Sequence, residues 1–151
     1  MRSPEELTVL FRLQGRKVTP QRQAIFRILY ENPTHPTADS VYAVARVLMP
    51  TISLRTVYQT LNDLADMGEV KMLDVGTGAV RFDPDCGSHH HLVCGGCGAV
   101  RDLFADFSGL VVPRGQEHGF VVGEAEVVFR GLCAACREQD RPRDRQKVPT
   151  N

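Results

Sequence analysis

The sequence predicts an α+β protein: an N-terminal winged helix-turn-helix followed by a small α/β unit stapled by four cysteines around zinc. Three observations carry the prediction. Capped amphipathic helix patterns fill the first 68 residues, short β-like runs follow Gly68, and two Cys-x-x-Cys pairs lie further along, Cys94/Cys97 and Cys133/Cys136. At 151 residues and 42% hydrophobic composition the chain has material for one ordinary core or two small ones.

The first helix follows from Leu7, Leu10, Phe11 and Leu13, spaced for one face and stopped by Gly15. Thr19-Pro20 is a Thr N-cap with Pro at the first helical position, and it opens a second helix through Ile25, Ile28 and Leu29 that ends before Pro33. A third begins near Thr37, is expected to carry Val41, Val44, Ala45 and Leu48 inward, and stops at Pro50. Ser53 caps a fourth, with Leu54, Val57, Leu61, Leu64 and Ala65 on one side and Gly68 at its end. Its other side shows Arg55, Thr56, Gln59 and Asn62. Residues 69–75 and 79–83 then read as a hairpin around Gly76-Thr77-Gly78.

In a winged helix-turn-helix the last helix enters the DNA major groove by its polar face, and Arg55, Gln59 and Asn62 have the donors and acceptors to read base edges. From the helical pattern alone the solvated side of an amphipathic helix is the favoured reading of this face; the hairpin directly after it brings the DNA reading level. Beyond residue 84, strands are expected over 89–93, 99–104 and 126–132, with a Gly- and Pro-broken stretch from Ser108 to Gly119 that carries only a weak helix signal. About 50 residues usually need a staple. The division expected is a DNA-binding domain over 1–82, a hinge over 83–88, a second domain over 89–136, and a disordered tail over 137–151, where Val148 and the prolines are the only apolar residues.

Eighteen Lys and Arg balance eighteen Asp and Glu, and a net charge of zero at first argues against a nucleic-acid partner. The distribution is more informative than the sum. Residues 1–82 hold ten basic and eight acidic side chains, residues 83–136 three and seven, and the tail five and three. A mildly basic first part before an acidic, His- and Cys-bearing second part fits a protein that meets an anion at one end and a cation at the other, although random surface variation accounts for the count equally well. No apolar run approaches the roughly 20 residues of a membrane span, and the first residues carry acids where a signal peptide would be basic, so the expected compartment is the cytoplasm, with no membrane partner.

Two intervening residues let both sulfurs of a Cys-x-x-Cys pair face one ion, so Cys94, Cys97, Cys133 and Cys136 can close a tetrahedron around Zn²⁺. With every position filled by protein, that zinc is structural. Five cysteines without a secretion signal make a disulfide framework a poor alternative. His89 and His91 alternate on a strand and project together, either as metal ligands or as a solvated strand end. Asp83 and Asp102 lie on either side of them in sequence, and His35 sits in the Pro-flanked loop before the third helix. Three imidazoles and two carboxylates suit Mn²⁺, Fe²⁺, Zn²⁺ or Ni²⁺. Spacing alone does not recruit His35.

The order and spacing of Thr19-Pro20-Gln21-Arg22, His35-Pro36-Thr37-Ala38-Asp39, Ser53 to Leu61, Arg81-Phe82-Asp83, His89 to Gly98 and Gly131 to Cys136 resemble the ferric uptake regulator superfamily over residues 4–136. Within it, His35, Asp83, His89, His91 and Asp102 match the regulatory ligands of the peroxide-responsive repressors; Asp at 83 and 102, where iron-uptake regulators typically have Glu, tilts the reading toward peroxide. The resemblance implies a homodimeric, metal-dependent repressor that is not an enzyme. Its winged helix would bind palindromic double-stranded operator DNA, and its C-terminal part would carry the dimer interface around one structural Zn²⁺ per subunit. One regulatory Fe²⁺ or Mn²⁺ per subunit would bridge the two parts, with H₂O₂ as the signal through oxidation of His35 or His89. It also implies DNA contacts by Tyr58 and, at phosphate, Arg22. A third metal site would fall on Ser88, His90 and Glu126 and is not assigned, and Cys86 reads as a free loop thiol. An iron- or manganese-responsive uptake regulator is the alternative. A zinc metalloenzyme is remote: a deaminase needs His-x-Glu and Pro-Cys-x-x-Cys, and neither is present.

Overall fold

Each of the first four helices begins where a hydroxyl side chain takes up an orphan backbone N–H. A computed structural model describes residues 1–139, with α1 at Pro4–Leu13, α2 at Pro20–Leu29, α3 at Ala38–Leu48 and α4 at Leu54–Asp66. Ser3, Thr19, Thr37 and Ser53 accept from the N–H of Glu6, Arg22, Ser40 and Thr56, and Ser3 with Glu6 completes a reciprocal capping box. The four helices bury Leu7, Phe11, Ile25, Phe26, Leu29, Val41, Ala45, Val57, Leu61 and Leu64 in one core, closed from below by Phe82. Val44 and Leu48, expected inward, are 49% and 62% exposed. The residues of α3 that are buried are Ala38, Val41 and Ala45, with Tyr42 packed alongside, so Val44 and Leu48 are left outside the contact.

Ion pairs fix the angle of α4. Asp63 near its end takes both Arg16 and Arg22, the latter at 2.7 Å, and the Arg22 guanidinium also lies over the Phe11 ring. After α4, β1 (Lys71–Leu73) pairs antiparallel with β2 (Arg81–Asp83), Lys71 opposite Asp83, giving a wing shorter than the sequence suggests.

The second sheet is ordered β4-β3-β5, with β3 (His90–Cys94) central, β4 (Val100–Leu103) antiparallel to it and β5 (Val128–Gly131) parallel. Its core is small: Val93 and Val100 with Leu73 and Val75 from the wing, and Val128 packed alongside. The wing therefore packs into both cores. No helix forms between Ser108 and Gly119 among the described residues; Gly115 and Gly119 adopt φ near +80°, and Leu110, Val111, Phe120 and Val121 are exposed. α5 (Ala134–Gln139) carries Cys136 and runs three residues into the segment expected to be a disordered tail, the rest of which lies outside the described residues.

A sheet with so few buried apolar side chains needs the cross-link that the four cysteines offer, and structural zinc contributes on the order of 10 kcal/mol in small domains. Cys94→Ser should therefore remove amide protection from β3 and β5 and dissociate the protein to monomers while the helical circular dichroism of α1–α4 persists. Hydrogen exchange with light scattering checks this; an intact, protected dimer would refute the structural role.

Candidate metal centres and the exposed face of the fourth helix

Cys94 ends β3, Cys97 follows in the turn to β4, Cys133 precedes α5 and Cys136 lies within it, so the parallel β3–β5 pairing brings the two knuckles together. Their sulfurs lie within 4.8 Å of one another, with Cys97 Sγ and Cys133 Sγ 3.8 Å apart. Gly96 is required there, because a Cβ would stand 2.9 Å from Cys136 Sγ. The Cys94 thiol is drawn down to about 6 by the backbone N–H groups of Cys133, Cys97 and Gly96, whereas Cys136 is pushed up to about 12 by the surrounding thiols. Four thiols this close cannot all ionise without a cation, and a divalent ion with tetrahedral sulfur preference resolves the conflict. The set suits a structural Zn²⁺.

The second set is assembled from three places: His35 from the α2–α3 loop, Asp83 from the end of β2, and His89 just before β3, His91 within it and Asp102 on β4. Antiparallel pairing sets His91 directly opposite Asp102. One donor atom from each of the five lies within 4.8 Å of the others. His35 Nε2 is 2.7 Å from Asp102 Oδ1 and 3.5 Å from Asp83 Oδ1; His89 Nε2 is 3.0 Å from Asp83 Oδ2; and the Nε2 atoms of His89 and His91 face each other at 3.1 Å.

The other ring nitrogens fix the tautomers. His89 Nδ1 lies 3.1 Å from the Gly87 carbonyl and His91 Nδ1 2.7 Å from Glu126 Oε1. Both acceptors require a proton on Nδ1, which leaves each Nε2 lone pair pointing into the cluster. His35, Asp83 and His91 are almost wholly buried, yet His35 Nε2, Asp83 Oδ2 and Asp102 Oδ1 have no hydrogen-bond partner. Orphaned acceptors converging in a dry site are what a cation satisfies. Burial pulls the His35 imidazole down, but the Asp83 and Asp102 carboxylates outweigh it and the net shift is upward; burial likewise pushes Asp83 up, while His35 and the Asp85 N–H bring it below its ordinary value. Three nitrogens and two oxygens suit a regulatory Fe²⁺ or Mn²⁺.

Glu126 is the functional candidate that the sequence reading passes over, since position 126 enters it only in connection with a third metal site. The β3–β5 register, His91 opposite Val128, is what brings Glu126 to the imidazole. His90 turns to the other side of β3, against the Phe107 ring, with Nδ1 accepting from Val127 N–H. Cys86 is half-buried, and burial raises its thiol above the ordinary value, so it is not an activated thiolate.

On α4, Arg55, Tyr58, Gln59 and Asn62 are exposed along one side, and Thr56 is half-buried with its hydroxyl 2.9 Å from Ser53 Oγ. Arg22 is not among the free cations: its side chain is 12% exposed and tied to Asp63. Its place is in holding α4 against α2. No described helix is long and apolar enough to cross a membrane.

Comparison with known proteins agrees with this architecture. Residues 13–128 match the model of the ferric uptake regulator family. The peroxide-responsive repressor PerR of Staphylococcus epidermidis is 35% identical over 136 residues, 89% of this chain and 91% of the relative, and that of Staphylococcus aureus is 36% identical over 138 residues, 89% and 92%. Among solved structures, a zinc-bound manganese uptake regulator superposes with a TM-score of 0.68 at 27% identity, covering 87% of this chain and 99% of the other. PerR from Streptococcus pyogenes gives 0.52 at 27% identity, covering 90% and 94%. Helices capped as a winged helix, a paired-knuckle sulfur site and a mixed nitrogen and oxygen site thus occur together with a family match across most of the chain, which belongs to the ferric uptake regulator family.

Proposed function

We propose that the protein is a homodimeric, metal-dependent transcriptional repressor that senses peroxide. The convergence of five buried donor atoms, drawn from the helical part, the wing end and the C-terminal sheet, carries the reading. His35, Asp83, His89, His91 and Asp102 are the regulatory ligands in it, and Cys94, Cys97, Cys133 and Cys136 hold the structural zinc. α4 presents Arg55, Thr56, Tyr58, Gln59 and Asn62 to a palindromic operator in the cytoplasm. Family membership sets the metalloenzyme reading aside.

The chain's own part in the mechanism is geometric. His35 is separated in sequence from Asp102 by a whole helix-turn-helix and wing, so ligation by both locks the helical part to the sheet. In a dimer, that lock spaces the two α4 helices for successive major grooves. With only a slight basic excess over residues 1–82, the DNA affinity is modest and salt-sensitive, and a coupling of about 1 to 3 kcal/mol suffices to switch it. A bound Fe²⁺ would relay electrons from the imidazole to H₂O₂, so that the two electrons that cleave the O–O bond come in the end from the ring. The sensing outcome is one oxygen atom added to the imidazole of His35 or His89 and water released; an oxidised ring is a poor ligand, so the lock opens. The two PerR relatives and the carboxylates at 83 and 102 support the peroxide signal. The higher TM-score against the manganese uptake regulator favours the second reading, metal-uptake control without peroxide sensing.

His35→Ala and Asp83→Ala should each keep one zinc per subunit and the dimer, yet lose the roughly 5- to 150-fold rise in operator affinity that Mn²⁺ gives the parent. Mobility shifts on operators selected from random duplexes measure this, and a retained metal response would sink the ligand assignment. Mass spectrometry of the Fe²⁺-loaded protein after dilute H₂O₂ should find one added oxygen on the peptide containing His35 or His89. Both peptides unmodified would leave the metal-uptake reading.

A further inference from the structure

Arg81 opens β2 and belongs to neither ligand set, yet its guanidinium lies between them. Nη1 donates to the carbonyl of His35 at 3.0 Å, and Nη2 donates to the carbonyl of Gly98, the residue after the zinc ligand Cys97. The backbone doubles the first tie: Phe82 N–H donates to the Pro36 carbonyl at 3.0 Å, and Arg81 pairs with Thr37 in an isolated antiparallel bridge.

Two backbone conformations depend on this fork. His35 sits at φ 48°, in the left-handed region that a residue with a side chain occupies only when its surroundings over-determine it. The carbonyl turned out by that conformation is the one Arg81 takes. Gly98 has φ +69°, and a Cβ there would stand 3.3 Å from Arg81 Nη2, so glycine is what lets the guanidinium reach its carbonyl. Among the described residues no carboxylate pairs with Arg81, and its Nε is buried without a partner. A cation spending its donors on two carbonyls 63 residues apart, rather than on an acid, is placed for position. It shares a cavity of about 440 Å³ with Cys94, Cys97 and Arg130, so it also sets positive charge beside the thiolates.

We propose that Arg81 is the positioning residue that couples the two metal centres. It holds His35 in its ligand conformation and references that conformation to the zinc knuckle, so that a closed knuckle raises regulatory-metal affinity and, by reciprocity, regulatory metal tightens the knuckle. The inference rests on the five-residue regulatory site proposed above.

The test uses the zinc-loaded dimer, titrated calorimetrically with Mn²⁺, and hydrogen exchange over residues 94–100 with and without Mn²⁺. Arg81→Met should keep one zinc per subunit and the helical circular dichroism but bind Mn²⁺ about 10- to 100-fold more weakly, as loss of a ligand-orienting partner does. Arg81→Lys, which keeps the charge but not the fork, should fall between it and the parent. Mn²⁺ should slow exchange over 94–100 in the parent and not in Arg81→Met. Parental Mn²⁺ affinity in Arg81→Met, or undiminished protection of the knuckle by Mn²⁺, would overturn the proposal. Should Arg81→Met lose zinc or fold, Arg81→Lys decides by the same two readouts, with parental values overturning it. Equal Mn²⁺ binding by the parent and His35→Ala would instead defeat the regulatory site itself.

Discussion

The protein is organised around an electrostatic conflict that it cannot resolve with its own atoms. Asp83 and Asp102 meet three imidazoles in a site with almost no water access, and several of the converging acceptors have no donor. Hydrogen bonds to Gly87 and Glu126 turn two Nε2 lone pairs toward each other instead of relieving them. Burial opposes both shifts, yet the Asp83 and Asp102 carboxylates raise the His35 imidazole, and His35 with the Asp85 N–H lowers Asp83. A divalent ion satisfies every one of these groups at once.

Much of the remaining structure delivers those groups. The capped helices build a core that needs no metal, and that core carries the His35 loop. The wing supplies Asp83 at the end of β2 and also lends Leu73 and Val75 to the second, smaller core. The C-terminal sheet is too lightly packed to hold two histidines and an aspartate to a few tenths of an ångström by burial alone, and the four cysteines tie its β3 end to α5. In the proposed account the two metal centres have different work: sulfur staples the sheet, while nitrogen and oxygen set its relation to the helical part. A ligand set divided in this way is sensitive to loss of a single imidazole, because its ligands come from different parts of the fold.

Elements specified by local chemistry were legible in the sequence: the Thr19 and Ser53 caps, Pro20 at the helix start, Gly68 and Gly76 at the turns, and the Cys-x-x-Cys pairs whose spacing states their own geometry. Features that depend on which elements meet were not. The inward face of α3 differs from its apolar pattern: Ala38, Val41 and Ala45 are buried, while Val44 and Leu48 are exposed. The tie of Arg22 to Asp63 was not legible, because nothing near Arg22 in sequence announces a carboxylate 41 residues away. Glu126 became visible only with the parallel register of β5 on β3, and the recruitment of His35 beside Asp102 came from family resemblance, since no periodicity links residues so far apart. The zero net charge was uninformative for a related reason: it sums a slightly basic helical part with an acidic part in which Asp83 and Asp102 converge with three imidazoles.

The central claim is that one ion at His35, Asp83, His89, His91 and Asp102 locks the helical part to the sheet. Small-angle X-ray scattering of the zinc-loaded dimer through a Mn²⁺ titration tests it most directly. The account predicts a fall in radius of gyration that saturates at one added ion per subunit; a scattering profile unchanged by saturating Mn²⁺ would contradict it.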